Sequence, residues 1–467
     1  MALQHSLRRT YRRLGPGVGV WRTGRPDHFF DRSPGRSIVV GFASAIAVGA
    51  LLLSLPIARS ASATTPLEAF FTSASAVCVT GLAVVDTASH WSGFGQVVIL
   101  LLIQLGGLGF MTAASLLGLL ISRRLDLRSR LLAAMETRSV GLGDVRRVLL
   151  GVARISLTIE ATTAALLAAR FAIGYGYSPG RSGWLGVFHA VSAFNNAGFA
   201  LFSDSLTGFA TDPWICVPVA VAVILGGLGF PVILELLGRS RPRRWSVHTR
   251  LTLTMTAILI VGGTVFVTIV EWGNPATLGA LDPPGRVLAG FFQAVMPRTA
   301  GFNSVDPAAM NTGTLLGSDV LMFIGGGSAG TAGGIKVGTF AVLLLAIIAE
   351  LRGDPDTELF DRRLSHPTIR QALAVALLGV AAVVGSTLVI ALTSTYSLDA
   401  ILYEVTSAFG TVGLSTGITA GLAPHHQVIL IVLMFVGRLG PATLASALVL
   451  REHARLVRRP EGRPLIG

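Results

Sequence analysis

Apolar positions fall into eight long runs, at 38–58, 96–121, 147–173, 213–238, 248–272, 316–350, 367–393 and 427–450. Each reaches or exceeds the roughly 20 residues a helix needs to cross the hydrocarbon layer. The runs form pairs. Between the members of each pair lies a shorter apolar segment ending in a small-residue loop: SASAVCVTGL at 73–82, VSAFNNAGFAL at 191–201, QAVMPRTAGFNS at 293–304 and VTSAFGTVGLSTG at 405–417. The pattern predicts an all-α membrane protein with four tandem helix–pore-loop–helix repeats around one pseudo-fourfold pore. Eight transmembrane helices and four re-entrant half-helices would build it. Repeats are expected at 38–121, 147–238, 248–350 and 367–450, flanked by a basic segment at 1–37 and a tail at 451–467.

Gly81, Gly198, Gly301 and Gly413 recur at intervals of 117, 103 and 112 residues, a period long enough to be a structural unit. Three copies place Ser-Ala six and five residues before the glycine, as Ser75-Ala76, Ser192-Ala193 and Ser407-Ala408. The third has Val295-Met296 followed by Pro297. Small residues recur in the helix after each loop: Gly106-Gly107-Leu108-Gly109, Gly226-Gly227-Leu228-Gly229, Gly325-Gly326-Gly327 and Gly437-Arg438-Leu439-Gly440. Thr65-Pro66-Leu67-Glu68 reads as an N-cap, an N1 proline and an N3 glutamate that start the first half-helix.

Irregular backbone at membrane depth is tolerated only where protein buries it or water and ions meet it, so these loops are expected to line a path. Four half-helices pointing their C-termini inward would present negative dipole ends to a cation. Stripping an ion of water requires carbonyl oxygens in place of its hydration shell, and glycine frees the backbone to turn them inward. The candidate filter is therefore Val79, Thr80 and Gly81, with Asn196, Ala197 and Gly198, then Thr299, Ala300 and Gly301, and finally Thr411, Val412 and Gly413. No carboxylate stands at the glycine level, which disfavours a calcium-type acidic ring, and an anion filter of basic residues is equally disfavoured. Arg298 is expected to tie the back of the third strand to a carboxylate or a helix end.

The run 316–350 is too long for one straight helix and contains ten consecutive small residues: Gly325, Gly326, Gly327, Ser328, Ala329, Gly330, Thr331, Ala332, Gly333 and Gly334. Poor helix propensity predicts a break there and a flexible plug, the alternative being close helix packing through small faces. Lys336, the only lysine of the chain, follows directly and is counted with the gate: at the loop it would help set the barrier to cations, whereas near the cytoplasmic end it would snorkel. Arg438 lies inside the last run, where a charge is costly unless it meets water or a partner, and is expected to contact the 325–334 loop as part of a gate. Glu160 is read as a partner for Arg154 or a polar neighbour of the pore.

Composition agrees with a lipid environment. The 467 residues are 52% hydrophobic and 13% charged, and the mean hydropathy is +0.68. The net charge of +13 is sorted by span: the segments 1–37, 122–147, 239–250, 351–370 and 451–467 hold 29 of the 37 basic residues. All five lie on one side if the runs pair as described, which places both termini in the cytoplasm. A nucleic-acid site would require recognition features that are absent. The first run is expected to be a retained helix and not a signal peptide, despite Ala58-Arg59-Ser60. Cys78 and Cys216 are too few for a disulfide scaffold or a four-ligand metal site. The glycine strings at 106–109 and 226–229 lack the strand and lysine of a phosphate loop, and no nucleophile–base arrangement suggests an enzyme. Repeats running in the same sense argue against an inverted-repeat carrier.

The segments VCVTGL, FNNAGFAL, RTAGFNS and FGTVGLSTG, together with GGGSAGTAGGIKVGT at 325–339 and VGRLGP at 436–441, closely resemble the Trk/Ktr/HKT potassium transporters across residues 38–450. Without two extra leading helices the chain looks more like the KtrB membrane subunit than TrkH. The resemblance implies a homodimer with one pore per subunit in the bacterial plasma membrane, contacting lipid. It also implies a cytosolic RCK-type, KtrA-like ring that binds ATP or ADP, while this chain carries no organic cofactor. K+ would be the transported ion, with Na+ as a coupling or activating ion left open. The family's filter glycines fall on Gly81, Gly198, Gly301 and Gly413, its intramembrane gate on 325–334 and its pore-facing arginine on Arg438. Some plant relatives carry serine at the first position and favour sodium, so Gly81 leans toward potassium.

Overall fold

The computed structural model describes residues 34–60, 63–109, 145–238, 245–360 and 362–440. Most of the N-terminal segment, the ends expected for the second and last spans (110–121 and 441–450) and the tail lie outside the described residues, as does much of the linkers at 122–147 and 239–250.

Four long apolar helices are the framework: α1 (Pro34–Leu53), α5 (Val145–Tyr175), α9 (Val247–Glu271) and α13 (His366–Thr393). Each is mostly unburied, and its outward positions are apolar, including Ile173, Val261, Ile269 and Leu392. Such faces are stable against lipid and not against water, so this is a multi-pass membrane protein.

Inside this framework sit four short helices, α2 (Pro66–Val77), α6 (Pro179–Phe194), α10 (Pro283–Val295) and α14 (Leu398–Gly410), of 12 to 16 residues. Proline begins three of them at N1, where its fixed φ is already helical and its missing N–H is not needed. In α2 the capping box forms: Glu68 N–H donates to Thr65 Oγ1 and Thr65 N–H to the Glu68 carboxylate, an arrangement worth about 1 kcal/mol. Their C-terminal halves are buried. Residues 71–77 of α2 and 403–410 of α14 are inaccessible, and so are the polar Thr72, Ser73, Ser75, Thr406 and Ser407. Polar side chains are thus carried into an otherwise apolar interior by the short helices.

Each short helix is followed by a loop and a further helix. A small helix α3 (Thr87–His90) precedes α4 (Gly93–Leu108); α7 (Pro213–Leu228) and α8 (Phe230–Leu237) follow α6; α11 (Thr312–Phe323) and α12 (Val337–Arg352) follow α10; α15 (Pro424–Leu439) follows α14. At 16 residues, α4, α7 and α15 are about 24 Å long, short of a full crossing. All three stop at the same device. Gly109, Gly229 and Gly440 have φ of 82°, 93° and 80° with ψ of 137°, 143° and 140°. The expectation of one continuous helix over 213–238 is corrected here: the chain bends by 100° at Gly229. The sixth run breaks where expected, between Phe323 and Val337. A two-stranded ladder, β1 (Glu358–Leu359) with β2 (Arg362–Arg363), lies in the linker before α13.

Candidate functional site

The four glycine loops meet. A Cβ on Gly81 would overlap the Ala197 carbonyl oxygen, one on Gly301 that of Val412, and one on Gly413 that of Thr80. On Gly198 it would lie 3.0 Å from Ala300 O. Each glycine therefore abuts the carbonyl that precedes the glycine of the next loop, in the order first, second, third, fourth and back to first. All four have positive φ, between 69° and 96°. Two residues earlier, Val79, Asn196, Thr299 and Thr411 are also left-handed, with φ of 57°, 57°, 71° and 52°. Left-handed backbone costs a non-glycine residue about 1–2 kcal/mol, and in the first, second and fourth loops it comes with a local helix-ending turn, closed by Thr80 N–H to Ser75 O, Ala197 N–H to Ser192 O and Val412 N–H to Ser407 O.

The Ser-Ala pattern acquires a cause. Ser75 Oγ accepts the Gly81 amide and Ser407 Oγ the Gly413 amide, each at 3.0 Å, while their backbone oxygens accept Thr80 N–H and Val412 N–H at 2.8 Å. In the third repeat the Met296 carbonyl accepts both Ala300 N–H (3.0 Å) and Gly301 N–H (3.3 Å), so no hydroxyl is needed. Ser192 Oγ has no hydrogen-bond partner among the described residues. The glycines in the helices that follow permit a close approach. A Cβ on Gly106, Gly226 or Gly437 would overlap the carbonyl of Val77, Phe194 or Phe409, each the last or penultimate residue of α2, α6 or α14. Lacking a side chain there, α4, α7 and α15 can lie directly against the short helices.

Residues 325–334 form a loop whose neck is closed by Gly325 N–H to Ile335 O (2.8 Å) and Val337 N–H to Gly326 O (2.9 Å). It docks on the broken end of α7: Gly327 N–H donates to Gly227 O at 2.7 Å, Thr331 N–H to Gly226 O at 3.2 Å, and Phe230 N–H to Ala329 O at 3.1 Å. The side chain of Thr331 reaches the second glycine loop, 3.0 Å from the Asn196 amide. On the other side, a Cβ on Gly333 would overlap Thr411 Oγ1 of the fourth loop. Arg438 donates to the carbonyls of Thr331 and Gly106, joining the 325–334 loop to the end of α4. Lys336 Nζ donates to Ala332 O within the loop itself. All the residues expected to act as filter and gate are thus brought into one contiguous region.

One expectation needs correction, and one pair of alternatives is narrowed. Arg298 is buried and, among the described residues, finds no carboxylate: it donates to the Thr256 carbonyl (3.3 Å) and hydroxyl (3.4 Å) of α9. Of the two readings of Glu160, a partner for Arg154 or a polar neighbour of the pore, the first is set aside. The Glu160 carboxylate accepts from Gln104 Nε2 and Asn195 Nδ2, both at 3.1 Å, tying α5 and α4 to the residue before the second strand. Two further carboxylates were not singled out from the sequence. Glu404 accepts from Thr416 N–H (3.0 Å) and Thr419 Oγ1 (2.8 Å), holding the chain beyond Gly413. Glu271 accepts from Thr277, Asn274 and Asn311, fastening the top of α9 to the loop before α11. The signal available was a lone acid within or at the end of an apolar helix, which requires local donors.

Outward apolar helices surrounding a closed ring of backbone carbonyls define a membrane protein built around a polar axis. Residues 18–457 match the TrkH cation transport protein family, and the chain belongs to it, within the Trk/Ktr/HKT superfamily. It is 41% identical over 438 residues to the Ktr system potassium uptake protein B of Bacillus subtilis, covering 93% of this chain and 97% of the relative. It is 39% identical over 452 residues to the protein of the same name from Vibrio alginolyticus, covering 95% and 97%. The crystal structure of the potassium transporter TrkH from Vibrio parahaemolyticus superposes with a TM-score of 0.72 at 18% identity, over 91% of this chain and 87% of the other, a likeness of fold.

Proposed function

We propose that the chain is the membrane subunit of a bacterial potassium uptake system, passing K+ through the ring of Gly81, Gly198, Gly301 and Gly413. The closed circuit of glycine-to-carbonyl contacts is the observation that carries this reading. Backbone oxygens held by neighbouring repeats can replace the hydration shell of a monovalent cation without a carboxylate. The buried ends of α2, α6, α10 and α14 favour positive charge on the axis between them.

In this reading the four expected repeats each contribute one filter strand, and eight spans enclose the pore. The 325–334 loop is the gate, held shut by Arg438 through Thr331 and by the end of α7. The two uptake proteins named above support potassium as the cargo. A relative 35% identical over 426 residues, the potassium/sodium uptake protein NtpJ of Enterococcus hirae, keeps Na+ in play as a coupled ion. A homodimer on a cytosolic ATP- or ADP-binding ring, with both termini cytoplasmic, completes the proposal. Purified chain in liposomes tests it: K+ flux exceeding Na+ and Cl− flux is expected, and flux that does not distinguish ions would refute it.

A further inference from the structure

A cavity of about 290 Å³ is lined by the four ring glycines and, among others, by Asp86, Ser203, Asn303 and Ser415. Among the described residues lining it, Asp86 is the one charged side chain. It is exposed, five residues beyond Gly81 in the loop of the first repeat. The carboxylate is held by three donors: Ser89 Oγ at 2.6 Å and Ser203 Oγ at 2.7 Å on Oδ2, and Ala88 N–H at 3.1 Å on Oδ1. Ser203 belongs to the loop of the second repeat, so the acid is fixed from two sides of the axis. Partial burial would push its pKa up, but the bonds from Ser89, Ser203 and the Ala88 amide outweigh this and hold it below the ordinary carboxylate range.

We propose that Asp86 is the cation-collecting charge of the outer vestibule: fixed over the four-glycine ring, it raises the local concentration of monovalent cation and so sets the apparent affinity for K+. The assignment rests on the proposed potassium pore and adds a residue outside the filter and the gate. A single charge in a narrow cleft focuses the field at its mouth, and salt screens that field. A purely structural acid, capping α3 and pinning Ser203, would also be fixed in this way, so the test must separate charge from hydrogen bonding.

Full-length chain in proteoliposomes is assayed for K+ uptake at low ionic strength and with about 1 M of an impermeant choline salt, where the screening length is about 3 Å. Asp86→Asn is expected to raise KM about 2- to 5-fold at low ionic strength, with the ratio falling toward 1 in high salt. Ser203→Ala, which keeps the charge, is expected to keep the wild-type salt dependence. Asp86→Cys provides a comparison within one folded sample, since the native Cys78 and Cys216 are buried. A sulfonate-bearing thiol reagent is expected to lower its KM and a trimethylammonium reagent to raise it. Equal KM in wild type and Asp86→Asn, a KM shift independent of salt, or identical effects of the two reagents would overturn the assignment. Wild-type flux that does not depend on K+ overturns the pore reading and this one together, whereas K+-dependent wild-type flux with those results overturns only the role of Asp86.

Discussion

Thr331 Oγ1 lies 3.0 Å from the side-chain amide of Asn196, so the loop that interrupts the sixth apolar run is hydrogen-bonded to the second glycine strand. The surrounding acceptors orient the amide nitrogen toward it, with Phe194 O at 3.3 Å and Val223 O at 3.2 Å as its other partners. The Thr331 carbonyl accepts from Arg438. One residue therefore joins the strand expected to select the ion to the loop expected to admit it. Thr331→Val keeps the shape and removes the hydroxyl, a loss of about 1 kcal/mol, which shifts an open–closed equilibrium by about 5-fold. Higher resting K+ flux is expected in single-channel or liposome recordings, and flux equal to wild type would show that the contact does not hold the loop.

Arg438→Ala removes two carbonyl contacts at once, one to Thr331 and one to Gly106. Hydrogen bonds from a charged donor contribute about 1.5–3 kcal/mol each, so resting flux should rise more than in Thr331→Val. Arg438→Lys can serve only part of this two-pronged geometry and should fall between the two. The rank order is the test, read from initial rates of K+ uptake.

The ring glycines are not equivalent. Gly198 has the most room, with its next-repeat oxygen 3.0 Å from an added Cβ, whereas substitution at Gly81, Gly301 or Gly413 meets direct overlap. Serine at Gly413 should abolish K+ selectivity over Na+ or the flux itself, and Gly198→Ser should be the mildest of the four. Left-handed φ adds about 1–2 kcal/mol at each site. Competition of Na+ against K+ uptake ranks them.

Ser75→Ala and Ser407→Ala leave the amides of Gly81 and Gly413 without their side-chain acceptors. The lost bond is worth about 1 kcal/mol at each half-buried amide, enough to loosen the strand and lower K+ over Na+ discrimination. Ser192→Ala should change little, because its hydroxyl has no partner among the described residues.

Much of this was legible from the chain because each device leaves a local signature. Proline at N1 and the Thr65–Glu68 box mark where half-helices start, and Gly81, Gly198, Gly301 and Gly413 repeat at one register. The run from Gly325 to Gly334 is too rich in glycine to stay helical. What escaped depends on neighbours distant in sequence. Gly229 sits in an apolar run that reads as one span, and the 100° bend there sets Phe230 N–H against Ala329 O of the 325–334 loop. Glu160 found Asn195 and Gln104, 35 and 56 residues away, in preference to its sequence neighbour Arg154.

The central claim is that K+ is held by the ring of Gly81, Gly198, Gly301 and Gly413. Anomalous scattering from crystals of the chain soaked in Rb+ tests it most directly. Peaks on the ring axis, level with the carbonyls of residues 79–81 and their counterparts and lost in Gly413→Ser, are the expected result. An empty axis in wild type, with Rb+ bound only elsewhere in the membrane region, would contradict it.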